Sequence, residues 1–426
     1  MTTSQVTKPM IGRVVAIALV IGAITVSSAH ASAGSLDPSW GGAGYVTTGF
    51  GGDFSGALGI AVQPDGKVIA VGGVGTGLNE SFALARYNAD GTLDQSFGIG
   101  GRVVTDFDGL NSQAIAVALE GNRIVVAGYA AVDPDFSIND FALARYENDG
   151  TLDTSFGLGG KVVTDFAGGE DDVDAVAVKG NRIVVVGASQ GAGGADFALA
   201  RYNQDGSLDT SFGSGGLVTT DFHGTFDAAN DAAFQGNDIV VAGYSGYGTA
   251  NADFALAAYR ADGTLDSSFG AGGKAETDFG HGSDYGHSID VAGNRILVVG
   301  SASNGINDDF AAAVYDRHGT LDPRFNGTGT STMDMGGDDE SFSSAFDTTH
   351  GVVAVGCTPN GIGNRIAVAR WASDGTPDLS FGSGGYTTTA IGANSCVGTM
   401  ALDRPDGIFA AGISDSQFLV VRYLDR

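Results

Sequence analysis

The chain has 426 residues, with 49 Asp and Glu against 21 Lys and Arg and a formal charge of −28. Such acidity excludes nucleic acid and anionic membrane surfaces as partners, while 43% hydrophobic residues in short regular runs exclude a disordered chain. Seventy glycines against eight prolines provide for many tight turns without a collagen triplet.

At the N-terminus Lys8 and Arg13 precede an uncharged apolar run from Val14 to Val26, followed by Ser27, Ser28 and Ala29-His30-Ala31. That tripartite pattern predicts a signal peptide over residues 1–31 with cleavage near Ala31. The run is short of the ~20 apolar residues that span a bilayer, and no Cys follows it to carry a lipid. Secretion or periplasmic localisation without membrane insertion is therefore expected for residues 32–426.

From Leu36 onward one phrase recurs seven times, beginning at Leu36, Leu93, Leu152, Leu208, Leu265, Leu321 and Pro377, in steps of 56 to 59 residues. A second phrase alternates with it: Phe82 to Tyr87, Phe141 to Tyr146, Phe197 to Tyr202, Phe254 to Tyr259, Phe310 to Tyr315, Ile366 to Trp371 and Phe418 to Tyr423. Within each unit stand four short stretches rich in Val, Ile, Phe and Tyr, too short for helices. They are separated by Gly-Asn (Gly121-Asn122, Gly180-Asn181) or Asp-Gly (Asp90-Gly91, Asp149-Gly150), which supply the positive φ of hairpin turns. Four hairpin-linked strands repeated seven times predict an all-β, seven-bladed β-propeller of four-stranded antiparallel blades. A β-solenoid is the competing repeat fold, but its coils take about 20–30 residues.

Residue size sets the strand phase. The stretch Gly59-Ile60-Ala61-Val62, recurring as Ala116 to Leu119 and Ala175 to Val178, alternates small with larger side chains and suits the crowded axis. It is assigned innermost, the Phe-Ala-Leu-Ala-Arg-Tyr stretch third and the Val-Val-Thr-Asp-Phe stretch outermost. With that phase Tyr45 to Phe50 is an outermost strand lacking its blade, and it should complete the last blade beside Phe418 to Tyr423, removing two open edges.

Through the alternating Leu-Asp-x-Ser-Phe-Gly-x-Gly-Gly and Phe-Ala-Leu-Ala-Arg-Tyr-x-x-Asp-Gly phrases, from about Leu36 to Tyr423, the chain resembles the delta-sixty repeat family of exported bacterial proteins. Asn326-Gly327-Thr328 and Pro377 depart from the pattern. The resemblance implies a propeller and export, and carries no shared activity.

The long, variable loops all open on one face and hold clustered acids: Glu170, Asp171, Asp172 and Asp174; Asp227 and Asp231; Asp284; and Asp338, Asp339 and Glu340. Asp172, Asp174, Asp231, Asp284 and Asp339 are expected to gather there, nearer the axis than the perimeter, where they could hold Ca²⁺ or a cationic ligand; no cofactor is demanded. His281, Asp284 and His287 in one loop form a weaker metal candidate. Asp106, Asp165, Asp221, Asp278 and Asp334 recur at one strand position in successive units and are read as structural, accepting backbone N–H bonds. The Leu-Asp acids are read as turn caps, paired between blades with Arg86, Arg145, Arg201, Arg370 and Arg422. Cys357 and Cys396 fall on adjacent blades near the axis, so export predicts a disulfide between them.

No nucleophile elbow, zinc helix or phosphate loop stands in a suitable context. The favoured reading is a non-enzymatic, monomeric binding or surface-interaction propeller that recognises an extracellular protein, glycan or peptide through its loop-rich acidic face. The alternatives are a metal-assisted hydrolase or lyase with a carboxylate site at the axial mouth, and a structural extracellular protein.

Overall fold

Strands form where the apolar runs lie between turn residues, giving seven four-stranded antiparallel blades and no helix among the described residues. The computed structural model describes residues 32–426 apart from 77–78, 134–137, 167, 192, 249–250, 348–350, 362 and 404–406; the expected signal peptide lies outside the described residues. In the first blade β2 (Phe54–Val62), β3 (Val68–Thr76), β4 (Asn79–Tyr87) and β5 (Arg102–Thr105) pair in sequence order, and five further blades repeat that order. The expected phase holds, with the small-residue strand innermost.

The ring closes as the phase requires. β1 (Tyr45–Thr48) pairs with β28 (Gln417–Leu424) in the register Tyr45↔Val421 to Thr48↔Phe418, completing the seventh blade as its outermost strand. Cys357 and Cys396, on the sixth and seventh blades, are joined as a disulfide with Cα atoms 5.3 Å apart.

Repeated residues hold neighbouring blades together. In the first five blades the Tyr near the end of the third strand is buried, and its hydroxyl bonds the last Thr of the preceding blade's outermost strand: Tyr87–Thr48 at 2.8 Å, Tyr146–Thr105 at 2.7 Å and Tyr202–Thr164 at 2.9 Å among them. In the sixth blade Trp371 replaces the Tyr and Met333 the facing Thr, and the two share one apolar cluster. Both partners change together, because an indole in place of the phenol would leave a buried Thr hydroxyl without its bond. The Asp-Gly hairpins dock on the next contact: Gly150, at φ 87°, leaves a Cβ only 2.9 Å from the Phe97 ring of the preceding blade, so only glycine fits.

The Leu-Asp acids cap their turns. Asp94 accepts from the Ser96 N–H (3.0 Å) and hydroxyl (2.7 Å), and Asp153 repeats the pattern. The arginine pairing differs from the expected one. Arg86 and Arg145 grip Asp94 and Asp153 of their own blades in two-pronged contacts of 2.8–2.9 Å. The reach between blades goes to a backbone carbonyl instead, Arg86 to Asn148 and Arg145 to Gln204. The hairpin turn after the third strand brings the Asp back beside the Arg eight residues earlier, so the carboxylate of the same blade is nearer than any other.

Candidate functional site

Every innermost strand carries a β-bulge beside a second-strand glycine whose Cβ would strike the facing carbonyl, at 1.8 Å for Gly72 and Gly187; β14 (Phe226–Gln235) has a further register shift nearer its start, between Phe226 and Ala228. The bulges beside these glycines each leave one extra residue: Leu58, Ile115, Asp174 and Asn230 in blades one to four, then His287, Phe342 and Gly398. All seven line one cavity of about 680 Å³, which therefore lies on the axis. A bulge frees a residue from the ladder and re-aims it, and here it gives each blade one variable side chain at the centre. Asp174, Asn230 and His287 form a continuous polar arc; Leu58, Ile115 and Phe342 form an apolar one.

Within the polar arc the Asn230 amide donates to the Gly286 carbonyl at 2.7 Å and meets His287 Nδ1 at 3.2 Å. Burial pushes the His287 imidazole down, to about 4, so it is neutral at pH 7. Asp231, also on the cavity wall, accepts from the Ile289 N–H (2.9 Å) and the Ser288 hydroxyl (3.1 Å) of the next blade. Burial still pushes its carboxyl up, to about 6. Asp174 has no hydrogen-bond donor among the described residues; burial, then Asp172 and Asp231, push it up to about 8 while its side chain keeps some contact with the cavity. Beside it Tyr244 lines the cavity and packs against Tyr285 (centroids 5.2 Å, edge-on) and Tyr247 (5.9 Å), with Phe226 behind. Tyr247 is half exposed, so the aromatic group continues from the cavity to the surface at the long-loop end of its blade.

The other acids separate from the axis. Three residues before four of the bulges, near the start of the strand, stand Asp171, Asp227, Asp284 and Asp339, all wholly buried. Each joins an Asp from the start of the preceding blade's third strand and one just after its outermost strand. The trios are Asp140–Asp165–Asp171, Asp196–Asp221–Asp227, Asp253–Asp278–Asp284 and Asp309–Asp334–Asp339, each with one carboxylate oxygen per residue within 4.8 Å of the others. Backbone N–H groups hold part of each trio: Phe166 donates to Asp171 and Phe279 to Asp284, at 2.8 and 2.7 Å. The repeated outer-strand acids do accept backbone N–H bonds, Asp106 from Gly109 at 2.8 Å and Asp334 from Gly336 at 2.7 Å.

The predicted acids thus do not converge. Asp174 and Asp231 face the axis; Asp171, Asp284 and Asp339 lie in three different blade junctions; Glu170, Asp172, Asp338 and Glu340 are exposed. His281 is exposed on its loop, Asp284 is in a trio and His287 faces the cavity; neither histidine joins a metal-compatible group among the described residues. Strand alternation and the bulge, which send neighbouring residues to different sides, cause the separation. Asn230 and Phe342 were not legible in the sequence because only register reveals a bulge, and Tyr244 because only the packing of the blades brings it to the cavity wall. Asp140, Asp196, Asp253 and Asp309 had a visible signal, since each precedes the repeated Phe-Ala phrase.

Raised carboxyls set a pH dependence. Asp140, Asp231 and Asp284 are pushed up to about 6 and Asp174 to about 8, chiefly by burial. A carboxyl whose folded pKa exceeds its unfolded value contributes stability that is present below the unfolded value and lost as pH rises through the folded one. In chelator, the melting temperature should therefore be highest near pH 5 and fall towards pH 8–9. The capped acids such as Asp153, held low, lose their contribution only below about pH 4. Melting curves that stay level or rise between pH 5 and 8 would contradict this.

The chain matches the family described as "Domain of unknown function (DUF5122) beta-propeller" over residues 63–97, 122–156, 181–212 and 237–269, in the first four blades. It is thus a propeller repeat protein. No curated protein matches it. Among solved structures it is similar to Sqt1 from Chaetomium thermophilum, at 15% identity over 92% of this chain and 99% of that one, with a TM-score of 0.48. Acylaminoacyl peptidase from Pyrococcus horikoshii is 12% identical over 88% and 52% of the two chains, with a TM-score of 0.47. A subtype N10 neuraminidase-like protein of A/little yellow-shouldered bat/Guatemala/060/2010 is 9% identical over 89% and 98%, with a TM-score of 0.41. At such identities and overlaps none of them informs function.

Proposed function

We propose that this is an exported binding propeller whose axial cavity and long-loop face take a protein or peptide segment carrying a basic side chain. The observation that carries the reading is the ring of seven bulged residues, which divides the cavity into a polar arc around an unpartnered Asp174 and an apolar arc of Leu58, Ile115 and Phe342. A Lys or Arg head would supply the donors that Asp174 lacks, and its methylenes would lie along the apolar arc. The Tyr244–Tyr285–Tyr247 group offers ring faces to the same cation. A cavity of about 680 Å³ has the size of a specific pocket, and the charge of −28 draws basic partners and repels acidic ones.

Hydrolysis by paired axial carboxylates is less favoured, because Asp231 already accepts bonds from Ser288 and Ile289 and leaves Asp174 without a working partner. A purely structural role has no use for an unpartnered carboxylate in a cavity. Fluorescence polarisation with labelled hexapeptide libraries tests the proposal. Basic sets should bind more tightly than acidic or neutral ones, and Asp174→Asn should weaken them at least about tenfold, the loss of about 1.4 kcal/mol. Equal binding of acidic and basic sets, or binding of glycans alone on an array, would overturn it.

A further inference from the structure

The seven blade junctions are of two kinds. In four of them Asp starts the third strand of one blade (Asp140, Asp196, Asp253 or Asp309) and Asp also stands three residues before the bulge of the next. In the other three the latter position holds Ser55, Ser112 or Ser395, and the third-strand partner is Gln417, Ser81 or Arg365. The two positions belong to different blades and lie about 30 residues apart, yet they are acidic together or not at all. If the acids served only to cap backbone, each could vary alone. Joint change is what a shared ligand between them would impose.

Asp140 supplies the independent observation. It is 7% exposed, has no hydrogen-bond donor among the described residues, and faces the carboxylates of Asp165 and Asp171. Asp171 is wholly buried and its Oδ1 also lacks a partner. A buried carboxylate without a donor or counter-charge is strongly unfavourable, so Asp140, set against a second carboxylate that Phe166 satisfies at one oxygen only, calls for a cation. The donors in all four trios are carboxylate oxygens, with no His or Cys, which selects a hard cation over a transition metal. Oxygens within 4.8 Å of one another can all be reached by one ion with Ca–O bonds of about 2.4 Å.

We propose that the four trios are calcium sites, each bridging two adjacent blades, and that Asp140, Asp165 and Asp171 form the tightest. Lys274 lies near Asp196 and His223 near Asp253, weakening the second and third sites, and Asn304 already donates to Asp309 in the fourth. Each bridge ties one blade's third strand and outer loop to the first strand of its neighbour. Calcium would thereby brace one continuous arc, the second to sixth blades, leaving the closure region to strand pairing and the disulfide.

The test is calorimetric titration of the purified, EGTA-dialysed protein with CaCl₂, with thermal melts in parallel. Four ions per chain and a calcium-dependent rise in melting temperature are expected. Asp140→Asn should lose the tightest ion and bind three; those three also report that the variant is folded. Replacing all four third-strand acids by Asn should abolish both the heat and the melting shift while leaving the melting temperature in EGTA unchanged or higher, because like-charge repulsion is relieved. No heat and no shift at about 10 mM calcium, above the range of weak extracellular sites, would overturn the proposal, as would four ions retained by Asp140→Asn. An equal shift with MgCl₂ would overturn the assignment to calcium.

Discussion

Deletion of residues 32–52 is expected to leave a chain that does not reach the native state. The segment contains β1, whose four residues pair with β28, and further backbone bonds tie Gly34 to Leu424, Asp37 to Arg422 and Gly44 to Arg422. It also contains Trp40, wholly buried between Tyr87 of the first blade and Phe409 of the seventh, with ring centroids 5.9 and 5.3 Å away. Loss of a buried Trp alone costs about 3–5 kcal/mol, comparable with much of the ~5–15 kcal/mol that holds a domain together. The deletion further removes the carboxylate of Asp37 that pairs with Arg422, and bares the edge of β28 to other chains. Near-UV circular dichroism and size exclusion of the truncated protein should show lost tertiary structure and association. A monomer with a native spectrum would show that the ring does not need its N-terminal strand.

Arg145→Ala should lower stability by about 3–5 kcal/mol, the cost of stripping the cation from a buried charge cluster. Arg145 is 1% exposed. Its guanidinium binds Asp153 through two nitrogens, reaches Glu120 at 3.1 Å and the Gln204 carbonyl of the next blade, and stacks 4.5 Å over Phe156. Without it two buried acids face each other, with only Arg123, 3.2 Å from Asp153, as partial compensation. Arg145→Lys should restore little, because an ammonium can neither bind Asp153 in two-pronged fashion nor stack as a plane. Urea unfolding should show a large fall in midpoint, whereas the exposed Arg317→Ala, as control, should stay within about 0.5 kcal/mol of the parent. A midpoint for Arg145→Ala equal to that of the control would refute the cluster's role.

The repeat itself was legible because everything that defines it is local. Alternating apolar runs, Asp-Gly hairpins and two phrases recurring every 56 to 59 residues determine four strands per unit, seven units and the order of strands within a blade. Even the ring closure followed, since a lone outer strand at one end and a missing one at the other leave a single pairing. The turn-capping role of the Leu-Asp acids was likewise readable, because an Asp and the N–H two residues on belong to the same short segment.

What the sequence could not determine depends on register and on neighbours distant in the chain. Asp171, Asp172 and Asp174 are close together in the chain, yet one is locked in a blade junction, one is exposed and one faces the axis. The bulge that turns Asp174 inward exists only relative to the strand it pairs with, so no periodicity within its own segment could place it. Asp140 and Asp171 likewise become one site only when two blades pack side by side. Local sequence specifies each blade because hairpins bring near residues together; the axial cavity and the acidic junctions arise between blades, where only packing decides which side chains meet.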